Sequence, residues 1–573
     1  MSDTSIAATK KKVITRIVTV ILALIAINII AYKWFAQVDL TKDKRYTITE
    51  TTKSMLKNMK GTVEVTIFLE GDYLPSPFKN LRSSTEELLR NFQNQSNQHL
   101  TYKFVDPIGK DNEATLEIMK KYRMTGIPVT IAGKSGSEQR MVFPWALVKY
   151  NPGSGQPVRE IPVFLQESNS MVLSRSILNK SEILLEYNLA NAINTLQKDQ
   201  RDAIAYLMGN GEPFGDQIAS AIMSLGKYYS IDTINLQNET VISPSKYKAI
   251  FINQPKSAFS DVDKFKIDQF IMNGGNVLMS LDNATGSIDS FYYNEHFTAL
   301  AVEHNLGDLL FQYGIRINNN LVLDGVENTG IPVATDGATQ QKMFSWPYHP
   351  IVKPYESQHP ITKNLEGVLT KFVSGMEILK GNPNFEKTVL LSSSAYSKTQ
   401  GTPAAIIYKT ILDEPDMSTF RQKNIPVAVL LEGNGVSAYA ANKPESVHNF
   451  IQQNNIKPAT QAKKGKIIIV SDGDMFLNEV SEQSGPREMG MYMFIPNYQF
   501  DNRTFLLNSM EYLTNENHLL EARSKTIDNR SLDPKRVEAE RSKWQLITIA
   551  LPIAIFSLLG FGFAYYRKKK YSK

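Results

Sequence analysis

Four carboxylates have the residue type and setting to do chemistry. Glu212 stands in the turn Gly209-Asn210-Gly211-Glu212-Pro213, Asp282 ends a strand-like run, and Asp472 and Asp474 fall in Ser471-Asp472-Gly473-Asp474. Carboxylates that converge at one edge of a sheet can hold a hard cation through oxygen, or divide the roles of general acid and base. The same residues after a strand also make turns and cap helices. Spacing alone leaves both readings open.

The elements that must position them can be read from hydrophobic pattern. Ala203–Met208, Tyr247–Asn253, Asn276–Leu281 and Lys466–Val470 are short apolar runs of strand character. Gln217–Tyr228, Asp261–Met272 and Asn502–Leu513 read as helices between or after them, the last one amphipathic. Strands alternating with helices predict a mainly parallel, doubly wound α/β sheet, whose ligands sit at the carboxyl ends of the strands. The loops 209–212 and 253–256, with Asp282, are therefore the places to examine. Strands are also expected at 321–323, 388–392 and 425–432, with an irregular, proline-rich insertion over 325–370.

Composition removes several kinds of chemistry. The chain has 573 residues and no cysteine. Disulfides, thiol nucleophiles, cysteine-ligated zinc and iron–sulfur clusters are all excluded. Seven histidines form no H-E-x-x-H pattern, and no G-x-S-x-G elbow occurs. Gly381–Thr388 (GNPNFEKT) approaches a phosphate-binding loop, but Glu386 stands where a glycine is required and would repel phosphate. A net charge of +6, with basic residues gathered at the ends, gives no support to nucleic-acid binding.

Both ends are apolar. Trp544–Tyr566 holds 23 residues without a charge and is followed by Arg567–Lys570 (RKKK). As a helix it spans roughly 35 Å, enough for a hydrocarbon core of about 30 Å. Lys10, Lys11 and Lys12 precede a second apolar run, Val13–Tyr32, read as an uncleaved anchor with no small-x-small cleavage site after it. Two spans place both termini on one side, and the compact basic clusters at the extreme ends favour the inside. The expected organisation is a cytoplasmic tail (1–12), a first transmembrane helix (13–35), a first domain (39–180), a larger α/β domain (183–515), a charged juxtamembrane segment (516–543), a second transmembrane helix (544–566) and a short cytoplasmic tail (567–573).

The first domain reads β-α-β-α: a strand at Thr62–Leu69, a helix at Phe78–Gln95, a strand at Leu100–Val105 and a helix at Asn112–Tyr122. Gly126-Ile127-Pro128 then opens a strand, and Met141–Tyr150 reads as another. A helix at Glu186–Gln197 is expected to open the next unit. This order resembles a thioredoxin-like domain, in which Pro128 would be the cis proline beside the active site. Without cysteine the redox chemistry of that family is excluded.

Several phrases together are similar to one family. They are DLTKDKRYTIT (Asp39–Thr49), VDP (Val105–Pro107), VAVLLEG (Val427–Gly433), SDGDMFLN (Ser471–Asn478), NRTFLLNSMEYL (Asn502–Leu513) and EARSKTIDNRSLD (Glu521–Asp533). The chain resembles the gliding-motility-associated ABC transporter component GldG of Bacteroidota. That resemblance implies an inner-membrane protein with a large periplasmic region, a multi-span permease partner (GldF-like) and a cytoplasmic ATPase partner (GldA-like). It also implies a glutamine-amidotransferase-like α/β domain, related to one in intraflagellar transport proteins. An amidotransferase needs a cysteine nucleophile, so the expected function is non-enzymatic, without cofactor or metal: binding a substrate or partner and coupling to permease and ATPase. The alternatives are a carboxylate-dependent hydrolase or cation-dependent binder using Glu212, Asp282, Asp472 and Asp474, and an envelope scaffold with no small ligand.

Overall fold

The computed structural model describes residues 15–25, 47–71, 74–108, 113–122, 124–133, 136–153, 155–166, 175–292, 294–334, 341–481, 485–515 and 534–571. The phrases at 39–46 and 521–533, part of the amino-terminal apolar run and most of the juxtamembrane segment lie outside them. Residues 1–525 form one unit by contact and 526–573 another.

Near the amino end, β1 (Thr62–Ile67) and β2 (Leu100–Phe104) run parallel and are joined by the Ser76–Gln95 helix. Pro77 suits the first turn of that helix, where its missing N–H costs nothing. Phe78, Leu81, Thr85, Leu89 and Phe92 recur every three or four residues and are all buried, so one face of the helix is core. After the Glu113–Lys121 helix come β3 (Ile127–Gly133), β4 (Gly136–Val142), β5 (Trp145–Asn151) and β6 (Arg159–Phe164). The sheet order is β2-β1-β5-β6, with β5 antiparallel to both of its neighbours.

Three expectations change here. The strand expected at Met141–Tyr150 breaks at Phe143-Pro144 into β4 and β5, because proline cannot donate to a ladder. Pro128 lies in a β3–β4 hairpin outside the four-stranded sheet, and among the described residues the one cis peptide bond is Thr402–Pro403. Pro128 is therefore not a cis proline beside a site. The helix expected to open the second unit runs Arg175–Gln197 and packs on the first sheet. Leu185, Leu189, Ile193 and Leu196 share a core with Val63, Val65 and Phe78.

The large sheet begins with β7 (Ala203–Met208), β8 (Ser230–Asn235), β9 (Tyr247–Asn253) and β10 (Asn276–Ser280). Small paired strands follow: β11 (His296–Ala299), β12 (Ile315–Ile317), β13 (Asn320–Asp324), β14 (Asn328–Ala334), β15 (Gln341–Val352), β16 (Val368–Leu369) and β17 (Met376–Ile378). Then come β18 (Phe385–Ser392), β19 (Ser397–Gly401), β20 (Ala404–Ile407), β21 (Pro426–Gly433) and β22 (Gly465–Val470). The large sheet has seven strands in the order β18-β21-β22-β10-β9-β7-β8. From β22 to β8 neighbours are parallel, while β21 and β18 add antiparallel strands at one edge.

Both faces are covered, which is why the central strands read as continuous apolar runs. Ala205, Leu207, Ile250, Ile252, Ile467 and Ile469 face the Asp261–Met272 helix. Ile204, Tyr206, Phe251, Ile468 and Val470 face the Ala219–Leu225 and Asn502–Thr514 helices. The latter helix buries Phe505, Leu506, Asn508, Ser509, Met510, Glu511 and Leu513, so it is a core helix rather than an amphipathic surface one. Residues 325–370, expected to be irregular, contain the β14–β15 hairpin. Pro350 of β15 pairs with Asn328, where the register shifts, the setting in which a strand tolerates proline.

Candidate functional site

β22, β10, β9 and β7 end on the same side of the sheet, so the loops after them are neighbours. The chain leaves β7 toward β8 through a helix on one face, and leaves β9 toward β10 through a helix on the other. The crevice between the carboxyl ends of β7 and β9 is thus the topological switch point, where doubly wound sheets place ligands.

Asp472, Asp282 and Asp474 come together beside it. Asp472 is fully buried. Its Oδ1 accepts the Asp474 N–H at 2.8 Å, capping the short turn Gly473–Phe476, and its Oδ2 accepts the Lys371 N–H at 2.8 Å. Asp282 Oδ1 accepts the Gly473 N–H at 2.5 Å. The Gln254 amide Nε2 donates to Asp282 Oδ2 at 2.8 Å and to Asp474 Oδ1 at 2.9 Å. Gln254 has φ +46°, a left-handed conformation rare for a residue with a side chain. Gly473 has to lack a side chain, since a Cβ would lie 2.6 Å from Gln254 Cγ and 2.9 Å from Asp282 Oδ2.

Three carboxylates this close cannot all ionise cheaply. Burial and the neighbouring Asp474 push Asp282 up to about 7. Burial, then Asp474 and Asp282, raises Asp472 well above its ordinary range. Burial raises Asp474 as well, opposed by Lys371, Gln254 and Lys256. The Lys371 ammonium itself pairs with Glu479 at 3.0 Å.

Glu212 stands apart. It occupies the β7 loop, buried, with Oε2 accepting the Asn210 N–H at 2.7 Å and Oε1 buried without a hydrogen-bond partner. Burial raises its pKa, and backbone N–H groups of the same turn oppose that. The Asn210 carbonyl joins this turn to the β9 loop by accepting the Lys256 and Ser257 N–H groups at 2.8 and 2.9 Å. The structure therefore gathers three of the four carboxylates into one cluster and holds Glu212 in the adjacent loop.

The cluster's carboxylate oxygens are largely taken by N–H donors of the chain. Among the described residues no group of three or more His, Asp or Glu is arranged to hold a metal ion. The arrangement ties the ends of β9, β10 and β22 to the loop at Lys371 and retains protons near neutrality. Sequence reasoning placed Gln254 inside the 253–256 loop without giving it a role, and missed Lys371 and Glu479. Gln254 is a neutral amide far from its partners in sequence, and only a fold model could have singled it out. Asp324 shows the same local habit: it accepts N–H groups of Val326, Glu327 and Ser394 and the hydroxyls of Ser394 and Ser397.

A pH dependence follows. A carboxyl whose folded pKa is raised to about 7 stabilises the fold below its unfolded pKa of about 4, and that contribution is lost as pH rises through the folded value. His304 and His359, held by burial at about 4, act oppositely, losing stability as pH falls below about 6.5. An unfolded histidine is still half protonated at pH 6.5, so these residues, with the buried His349, add an opposing rise in stability up to about pH 7.5. The Asp282 contribution by itself falls by on the order of 1 kcal/mol between pH 6.5 and 8. It is isolated by comparison with Asp282→Asn: in denaturant titrations at the two pH values the change in stability of the variant should lie above that of the native chain by about that amount, and identical changes in the two would contradict the assignment.

A family model described as "ABC-type uncharacterized transport system" matches residues 201–509, more than half of the chain. The chain belongs to this family of ABC-type transport auxiliary components. The family's match starts just before β7 and ends within the last core helix, so it takes in the seven-stranded sheet and all four candidate carboxylates. A second match, to a domain of unknown function (DUF7088), covers residues 42–149, from before β1 into β5. An uncharacterized protein of Borreliella burgdorferi is 22% identical over 554 residues, covering 93% of each chain. Two solved structures each align with 55% of the chain. One, described as "mmIFT52 N-terminal domain", is 14% identical, 98% covered, with a TM-score of 0.30. A ThuA-like protein from Parabacteroides merdae is 9% identical, 91% covered, with a TM-score of 0.25.

Outside the body, the Pro534–Tyr571 helix contains Glu540–Tyr571, 32 residues long and apolar enough to cross a membrane, with none of its apolar stretch buried. Thr15–Ile25 is a shorter apolar helix within the expected first span.

Proposed function

We propose that this protein is a non-catalytic, membrane-anchored auxiliary subunit of an ABC-type transport complex. Its body binds a substrate or partner, and it couples to a separate multi-span permease and a cytoplasmic ATPase. The observation that carries this reading is the family match over residues 201–509. The Glu540–Tyr571 helix supports the anchor, and Val13–Tyr32 supplies a second, so that both termini are cytoplasmic and the body is periplasmic at the inner membrane. The finer identity is the gliding-motility component GldG with GldF- and GldA-like partners, supported by the phrases noted above. In this reading both units are catalytically silent. The first is thioredoxin-like, supported by the order β2-β1-β5-β6 closed by the Arg175–Gln197 helix. The second is amidotransferase-like, supported by the doubly wound sheet. Neither has a cysteine. The internal hydrogen bonding of Asp282, Asp472 and Asp474 favours this account over a carboxylate-dependent hydrolase or cation binder. The test is affinity capture of the tagged chain from membranes in mild detergent. The permease and ATPase should elute with it; a chain that elutes alone overturns the proposal.

A further inference from the structure

The two ends of the large sheet differ in charge. The carboxylate cluster stands at the carboxyl ends of its strands, and cations gather at the amino ends. Arg201 precedes β7, Lys248 is the second residue of β9, and Lys463 and Lys464 lead into β22. All four residues are exposed, and none forms an ion pair with a described residue. Arg201 makes one bond, to the Gly226 carbonyl at 3.1 Å. Acids at this edge have partners of their own. Asp199 pairs with Arg159 at 3.0 Å, Asp202 with Lys198, and Asp232 with Lys246 at 3.9 Å. Glu432 stands opposite Lys466 in the β21–β22 register, and Glu386 lies beyond it on the edge strand β18. In the order β22-β10-β9-β7 the four cations cover three inter-strand spacings, ~14 Å.

The segments that lead to the two proposed spans leave the body on this side. The Leu513 carbonyl accepts the Asn276 side-chain N–H at 2.6 Å, and the Tyr512 carbonyl accepts the Lys466 ammonium at 2.9 Å. The end of the last core helix is thus pinned beside the first residues of β10 and β22. The amino-terminal segment is held next to it. Glu186 Oε1 accepts the Thr49 N–H at 2.7 Å, and the hydroxyl of the following residue, Tyr187, donates to Glu511 in the last turn of that core helix. The link from the expected first span, ending at residue 35, to Thr47 reaches at most ~40 Å. A basic edge is therefore tethered close to a bilayer.

Each cation near an anionic bilayer surface strengthens association roughly fivefold, and the attraction fades over ~8–10 Å. Lysines carry compact charges on flexible stems and impose no fixed geometry on a partner, which suits a fluid layer of phosphates better than one folded acidic surface. We propose that the amino-terminal edge of the large sheet docks on the membrane surface through Arg201, Lys248, Lys463 and Lys464, which engage anionic lipid headgroups. The carboxylate cluster then faces away from the bilayer. This docking rests on the membrane anchoring proposed above and needs neither permease nor ATPase.

The purified full-length chain is reconstituted in nanodiscs of phosphatidylcholine, with or without phosphatidylglycerol, that contain an acceptor-labelled lipid. A single donor-labelled cysteine is placed at Ser245, just before β9, or at Ser257, in the loop after it; both positions are exposed and the chain has no other cysteine. Energy transfer from Ser245→Cys should rise when phosphatidylglycerol is present and return to the neutral-lipid level in high salt. Combined Lys248→Glu, Lys463→Glu and Lys464→Glu should abolish the rise, the matching arginine substitutions should retain it, and Ser257→Cys should show none. Circular dichroism shows that the variants are folded. A chain that does not enter nanodiscs overturns the anchor and this proposal with it. Entry without a salt-sensitive rise at Ser245 overturns the docking alone and leaves an acidic protein face as the occupant. A rise that survives the glutamate substitutions, or that is equal at Ser257, also overturns it.

Discussion

Replacing Asp472 with alanine is expected to destabilise the body by about 3–5 kcal/mol, whereas Asp474→Asn should be neutral or stabilising by up to about 1 kcal/mol. The two residues stand two positions apart, yet the chain uses them differently. Asp472 is fully buried and supplies the acceptors for the Lys371 and Asp474 N–H groups. Alanine strands both donors in the interior, at about 1–3 kcal/mol each, and leaves a small void. Asp474 is partly exposed. Its Oδ1 accepts one bond from Gln254, which an asparagine oxygen can still accept, while one charge of a crowded set disappears. Denaturant titration of the purified full-length chain measures both. Equal destabilisation by the two variants would contradict the assignment of Asp472 as the structural member, and would return the cluster to consideration as a functional site.

The second large effect concerns the carboxyl-terminal helix. Leu551→Arg with Ile555→Arg should prevent Glu540–Tyr571 from crossing the bilayer. Arginine at the centre of a span costs about 2.5–3.5 kcal/mol on insertion scales, against a gain of a few tenths for leucine or isoleucine, so the pair shifts insertion by about 6–8 kcal/mol. Both positions are exposed in a helix with no protein packed on its apolar stretch, so neither substitution disrupts a core. The chain has no cysteine, and a single Ser572→Cys marker therefore reports the location of the carboxyl end without background. In intact cells with a permeabilised outer membrane, an impermeant maleimide should leave Cys-marked native helices unlabelled and label the double-arginine form. Labelling of both forms would place the carboxyl end on the outer side and overturn the two-pass topology.

What could be read in advance follows from what a strand or helix reveals by itself. Ala203–Met208, Tyr247–Asn253 and Gly465–Val470 are buried on both faces, so they appear as unbroken apolar runs, and their place in a parallel sheet follows. β15 was hidden because Pro347 and Pro350 read as breakers, although one of them sits at an irregularity of the ladder. Of the Arg175–Gln197 helix only the carboxyl-terminal part, Glu186–Gln197, reads as a helix in the sequence, and its pattern could not tell which sheet it covers. The same limit applies to the candidate sites. Asp282, Asp472 and Asp474 were legible because each follows a strand at its carboxyl end. Their link is Gln254, which lies 28 residues from one partner and 220 from another, with no charge to draw attention.

The central claim is that this body is mounted on a membrane as a partner of a permease and an ATPase. The most direct measurement repeats the capture one residue at a time within the bilayer. Single cysteines are placed in the otherwise cysteine-free chain at Leu551, Ile553, Ala554, Ile555, Phe556, Ser557 and Leu558, about two helical turns. Each is cross-linked in native membranes with a short photoreactive maleimide. The account predicts adducts between this chain and a multi-span permease at positions recurring every three to four residues, with the ATPase retained on capture. Absence of any permease adduct at all seven positions, with the chain recovered intact in the membrane, would contradict it.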